Sequence, residues 1–410
     1  MTAIKLSTLG ASGAPAPAAS ILLNVTQTTA SSGSITQAIP AGTYIVESEY
    51  PCQLTINSVV FQIPAMTPTP ITVASNATSY SVVNLSLGLN WVNKALPNGT
   101  GFTAVAYGGG VFCAVLSGTA IAATSPDGIT WTQRTLPSST AWNAIAWNGT
   151  VFCAISNASG TIAATSPDGI TWTARTLSAT STWSAIAWNG TVFVVVNNAA
   201  ANTVSMTSPD GITWTSRTIT SGVWQTVVWN GTIFLAIQNS STTACTSPDG
   251  ITWTSRTLAL APNSPYNIAW GAGIFVINAG ATNYQTSPDG ITWTSRRSPS
   301  SVQIQIIYFV QGLFVIMLEP TTGYSSSQQN IFVWLTSPDG ITWTRRTNLM
   351  PVLLYSAEYL SSQTNNSIAI GGNTVVLISA VYNDTINYQA LVSQLLPNPL
   401  GIYSPPTVTI

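Results

Sequence analysis

The nine residues TSPDGITWT at positions 124–132 recur unchanged at 165–173, 207–215, 246–254, 286–294 and 336–344, placing the tryptophan at 131, 172, 214, 253, 293 and 343. Successive tryptophans are 41, 42, 39, 40 and 50 residues apart. A period near 40 is the length of four short strands with their turns, the unit of a β-propeller blade. Working outward in the second unit, Trp142 to Trp147 (WNAIAW) reads as a strand and Asn148-Gly149 as a type I′ hairpin turn. Residues 150–155 read as the returning strand and 161–165 as the third. Ser166-Pro167-Asp168-Gly169 then reads as a tight turn into a fourth strand over 170–176, because proline presets φ, aspartate accepts local N–H groups and glycine supplies a positive φ.

The number of blades follows from a second regularity. The residues that end the first strand and begin the second keep an offset of five: Tyr107/Phe112, Trp147/Phe152, Trp188/Phe193, Trp229/Phe234, Trp270/Phe275 and Phe309/Phe314, with Ile370/Val375 as a seventh pair. Seven first strands therefore accompany six S-P-D-G turns. The missing fourth strand is found at 89–94, where Trp91 lies 40 residues before Trp131 and Lys94 takes the place held by Arg134, Arg175, Arg217, Arg256, Arg296 and Arg346. The sequence predicts an all-β chain: a seven-bladed β-propeller of four-stranded antiparallel blades over 89–394. The N-terminal strand closes a last blade whose other strands are 366–370, 374–380 and 388–394. Closure of this kind removes free sheet edges.

Residues 1–88 lack the repeat. They read as a linker-like stretch at 10–20 (GASGAPAPAAS) followed by short alternating strands, a small β-sandwich-like domain. Residues 395–410 form a proline-rich tail. The N-terminus shows no signal peptide, and no apolar run reaches the 18 or so residues of a spanning helix, so synthesis in the cytosol and no membrane insertion are expected. The four cysteines show no C-x-x-C spacing, and Cys113 and Cys153 hold one place in consecutive repeats, as buried small hydrophobes do.

Charge bounds the function. Only 5% of residues are charged, against about 25% in an average soluble protein. Ten Lys plus Arg do not build a multi-phosphate footprint, so no nucleic-acid partner is expected. With no histidine, Ser-His-Asp catalysis and His-ligated zinc are excluded. Six of the eleven acids are the turn residues Asp127, Asp168, Asp210, Asp249, Asp289 and Asp339, and seven of the ten bases are the repeated Arg/Lys set. A repeated residue serves each blade alike, whereas a catalytic site needs unlike residues converging, so these are read as structural. No metal or cofactor is expected, and no enzyme activity.

The S-P-D-G-I-T-W turns resemble the Asp-box, or bacterial neuraminidase, repeat, whose pattern is S-x-D-x-G-x-T-W; here Asp and Gly are adjacent. The resemblance implies a β-propeller, with the boxes as structural turns. Sialidases of that family use an arginine triad, and only Arg297 and Arg345 lie outside the repeated position. The neutral composition rich in Ser, Thr and Asn is also similar to propellers carried on bacteriophage virions, in tail fibres or capsid-surface attachments. That resemblance implies a non-enzymatic virion structural protein, oligomeric on the particle. It would dock to other virion proteins through 1–88 and present the propeller for stabilisation or for contact with a host-surface glycan. The alternatives are a sialidase-like or other glycan-binding or glycan-hydrolysing propeller, and an intracellular scaffold.

N-G and S-P-D-G turns share one face of the ring; the longer, varied loops share the other. Those of the sixth and seventh blades, with Glu319, Tyr324, Tyr355, Glu358, Tyr359, Tyr382 and Asp384, are the candidate contact patch, since recognition resides on loops held by a rigid scaffold. Glu319, Glu358 and Asp384 are also the carboxylates that a glycosidase would need as a facing pair.

Overall fold

The computed structural model describes, within 1–88, the backbone of eight strands, and beyond them residues 92–94, 96–97, 102–262, 268–280, 282–300, 304–310, 312–318, 334–346, 367–371, 374–378 and 390–394. Every regular element among these is a strand, and none is a helix that could cross a membrane. The chain divides into two compact units, Met1–Gly88 and Leu89–Ile410.

The first unit holds two four-stranded antiparallel sheets. One runs Pro15–Val25, Thr2–Leu9, Gly42–Ser48, Thr69–Val73, and the other Gly33–Ile35, Tyr80–Asn84, Cys52–Ile56, Val59–Ile63. The stretch read as linker-like is in part a strand: Ser20 pairs with Ser7 and Pro15 with Leu9. Its prolines are accommodated because this strand lies at the sheet edge, where a missing N–H breaks no ladder.

The second unit is a seven-bladed propeller. Six blades take their four strands in chain order, from Phe102–Gly108 through Thr132–Thr140 in blade 1 to Ile304–Val310 through Thr344–Arg346 in blade 6. Blade 7 joins Ser367–Gly371, Thr374–Ile378 and Ala390–Gln394 to Val92–Lys94, with Lys94 opposite Ala390 and Val92 opposite Val392. Blade 7 meets blade 1 directly. The Ser367 hydroxyl takes the Val105 N–H at 3.0 Å, and Ala369, Val376 and Ile378 share a core with Phe102, Val105 and Phe112. Alternate residues of each blade face opposite neighbours, so the cores lie between blades. The core between blades 1 and 2, for instance, packs Ala104, Cys113 and Leu136 on Trp142, Ile145 and Phe152.

Local turn chemistry departs from the reading in two ways. Asn148 does not adopt positive φ; only Gly149 does (φ 100°). Trp147 pairs with Phe152 across a four-residue connection. There the Asn148 side-chain Oδ1 accepts the N–H groups of Thr150 at 2.9 Å and Val151 at 2.7 Å, which fixes a wider turn than type I′. Two-residue turns with both φ positive occur instead at Gly109-Gly110 and Ala272-Gly273. The fourth strand of blade 2 is Thr173–Ser181, beginning after Trp172, because the N–H groups of Ile170 and Thr171 are taken by the Asp168 carboxylate and cannot join a ladder.

Candidate functional site

The six S-P-D-G turns are near-identical. In blade 2 the Asp168 carboxylate Oδ1 accepts the Ser166 hydroxyl at 3.0 Å, the Ile170 N–H at 2.8 Å and the Thr171 N–H at 2.9 Å. The same three donors serve Asp127, Asp210, Asp249, Asp289 and Asp339 in their own turns. These donors stabilise the ionised form. In Asp168 the Thr171 N–H is the largest influence; with the Ile170 N–H and the Ser166 hydroxyl it holds the carboxyl below its ordinary range, against the opposing effect of burial. In Asp210, Asp249 and Asp339 burial opposes the shift more strongly, and the same donors together outweigh it.

Each turn also rests on the preceding blade. The turn glycine has φ of 73° in Gly169 and 74° in both Gly211 and Gly250. A Cβ on Gly169 would meet Thr124 Cγ2 at 2.9 Å and Cys113 Sγ at 3.2 Å, both in blade 1, and one on Gly211 would meet Thr165 Cγ2 at 3.0 Å in blade 2. Glycine is needed here for conformation and for clearance. The threonine beneath it is held from its own blade: Arg134 Nε donates to Thr124 Oγ1 at 2.9 Å and Arg175 Nε to Thr165 Oγ1 at 2.8 Å. Arg217, Arg256 and Arg296 repeat this contact. The Trp172 indole packs against the blade 1 to blade 2 core and donates Nε1–H to Gly169 O at 3.0 Å.

Innermost strands are tied in the same sense. The Thr103 hydroxyl donates to Trp142 O at 2.7 Å, Asn143 Nδ2 to Ser184 O at 2.6 Å, and the Ser184 hydroxyl to Trp224 O at 2.7 Å. Trp142, Trp183 and Trp224 are fully buried, which places them in the packing. Cys113, Cys153 and Cys245 are free and buried, and burial pushes their thiols upward, so none is a poised nucleophile.

The candidate contact residues Glu319, Tyr324, Tyr355, Glu358, Tyr359, Tyr382 and Asp384 lie outside the described residues. Among the described residues no three His, Cys, Asp or Glu side chains are grouped to share a metal ion. The sequence reading missed one surface feature. It began the fourth strand at the isoleucine after the turn glycine; instead Ile170, Ile212, Ile251, Ile291 and Ile341 stand in the turns, 42–48% exposed. The signal was the Asx turn itself, which withdraws that residue's N–H from the ladder.

Among solved structures the chain is similar to virginiamycin B lyase from Staphylococcus aureus, at 10% identity over 75% of this chain and 99% of that one, with a TM-score of 0.57. A streptogramin B lyase matches at 10% identity over 74% and 97%, TM-score 0.55, and U3-55K at 7% identity over 75% and 99%, TM-score 0.53. At such identities the likeness establishes the propeller fold alone. The sequence matches no curated protein. Residues 88–218 and 219–381 each match the model of the DUF6242 beta propeller domain, well over half of the chain, and the chain belongs to that family.

Proposed function

We propose that the chain is a non-enzymatic structural protein of a bacteriophage virion, in a tail fibre or on the capsid surface. Residues 1–88 join it to other virion proteins, and the propeller stabilises the particle or touches a host-surface glycan. The observation that carries this reading is where the charges go. All six turn carboxylates and the five described repeat arginines are engaged in hydrogen bonds repeated from blade to blade, a use of charge that braces a ring. The likeness of the turns to Asp-boxes, structural turns in that family, and the sparse charge with abundant Ser, Thr and Asn support it. Few of the contacts of such a surface would be screened as salt varies.

Immuno-electron microscopy of purified particles, with antibody raised against the full chain, tests the reading: labelling at a defined position on tail or capsid is expected. Absence of the chain from particles that infect normally would refute it. So would glycoside turnover by the purified chain that Glu319→Gln or Glu358→Gln abolishes.

A further inference from the structure

We propose that the turn face of the propeller is a self-association surface, on which a second copy of the chain stacks face to face through the ring of isoleucines. Between 42 and 48% of each of five of these side chains, Ile170, Ile212, Ile251, Ile291 and Ile341, is left to solvent. The group it supplies to its own turn is its N–H, donated to the aspartate, which any residue but proline would provide. Yet all six repeats keep it, whereas the exposed position four residues on varies freely: Gln133, Ala174, Ser216, Ser255, Ser295 and Arg345. In blade 1 the same residue, Ile129, packs partly into the seam with blade 7, so the fully presented ring spans blades 2 to 6.

The tips add further apolar groups to these isoleucines, beside the turn carboxylates. Pro167, Pro209, Pro248 and Pro288 are exposed beside them, and each turn adds exposed threonine. The isoleucines thus form an arc of five like knobs, one on each of blades 2 to 6. A partner engages all the knobs at once only if it repeats at the same angular interval, and a second propeller does. Related by a two-fold axis lying in the plane of contact, two copies form a closed, self-complementary interface. The net charge of −1 adds little long-range repulsion to that of the turn carboxylates themselves. About 800 Å² per partner is the usual size of a stable interface. Five half-exposed isoleucines supply only part of that, and the proline and threonine of the same tips are what must supply the rest.

The turn carboxylates set the signature. Each copy would bring its Asp ring to the contact, so the pair should tighten as salt screens the repulsion. A basic partner protein on the same face would instead be released by salt.

Sedimentation of the full chain over a range of concentrations tests this, in low and high salt. We expect a monomer–dimer equilibrium that strengthens with salt. The combined variant Ile170→Ser, Ile212→Ser, Ile251→Ser removes six knobs from the dimer and should raise its dissociation constant about a hundredfold or more, with an unchanged tryptophan-fluorescence melt. A second variant, Asp168→Asn, Asp210→Asn, Asp249→Asn, keeps the Oδ1 acceptors and removes charge, and should tighten the dimer at low salt. The proposal is overturned by a wild-type chain that is monomeric throughout, or by a dimer indifferent to the isoleucine changes. It is equally overturned by a monomer that instead binds a lysine-rich amphipathic peptide in a salt-released manner. None of these outcomes depends on the virion reading.

Discussion

Replacing a turn glycine by alanine separates backbone strain from seam packing, because the ring offers a matched control. Gly250 and Gly118 have nearly the same conformation, φ 74° and 76°. A Cβ at Gly118 meets nothing within 4 Å, whereas one at Gly250 would penetrate Val194 Cγ2 of the preceding blade and crowd Thr207 Cγ2 at 3.4 Å. Gly118→Ala therefore carries only the cost of placing a side chain in the left-handed region, about 1–2 kcal/mol. Gly250→Ala adds overpacking of a filled core, a further 1–3 kcal/mol or so. All fifteen tryptophans lie between 91 and 343, so their fluorescence reports the propeller without interference from 1–88. On thermal unfolding we expect Gly118→Ala to lower the propeller Tm by roughly 3–6 °C, taking about 2–4 °C per kcal/mol, and Gly250→Ala to lower it at least about twice as far. Equal shifts in the two variants would show that the S-P-D-G turns do not bear on their neighbours and would refute the account of the seams.

Three further outcomes follow from the turns and seams. Asp168→Ala deletes the acceptor of three hydrogen bonds and should cost about 1.5–3 kcal/mol in a urea melt, whereas Asp168→Asn keeps an acceptor oxygen and should cost clearly less. All six turn carboxyls titrate below their unfolded values, so near pH 4 the native state binds fewer protons than the unfolded one. The stability they add is complete above about pH 4, where unfolded carboxylates are ionised, and is lost as pH falls through the native values; Tm measured from pH 6 down to pH 2 should fall steeply only below about 4. Ser205→Ala should leave Tm unchanged or raise it by a few degrees, because the Ser205 hydroxyl is buried without a hydrogen-bond partner and such a group costs about 1–3 kcal/mol.

The ring was readable because its determinants are repeated. Six copies of S-P-D-G-I-T-W and the five-residue offset of Trp147 and Phe152 fix blade length and count, and the leftover strand with Lys94 fixes the closure. Details that depend on competition for one N–H were not readable. Asn148-Gly149 has the composition of a type I′ turn, but the asparagine side chain binds the N–H groups of Thr150 and Val151, leaving its own φ negative. Ile170 fits a strand pattern until Asp168 takes its N–H. Pro15 and Pro17 look like linker residues unless it is known that their strand has one free edge. The placement of the varied loop residues relative to one another is a long-range matter that no periodicity encodes.

The seams show how a repeated architecture tolerates unlike blades. One third-strand position shares a core with the tryptophan of the next blade's turn: Ala122 with Trp172 and Ala163 with Trp214, while Tyr284 packs edge-on to Trp343. Where the residue is alanine, the indole Nε1–H returns to its own turn, as Trp214 does to Gly211 O at 3.1 Å. Where it is Tyr284, the phenol intercepts the indole N–H at 2.8 Å and passes its own proton to Ile341 O at 3.3 Å, so a larger side chain enters and every polar group keeps a partner. Ser205 holds the corresponding place before Trp253 and achieves neither arrangement: its hydroxyl and the Trp253 Nε1–H are both buried without partners. Repetition thus secures the turns, where one aspartate satisfies its donors without reference to any neighbour. The seams must be solved pair by pair, and blades 3 and 4 are where a solution is incomplete. A substitution introduced at this position in any blade will therefore be decided by whether the facing tryptophan still has an acceptor for its N–H, and only secondarily by side-chain volume.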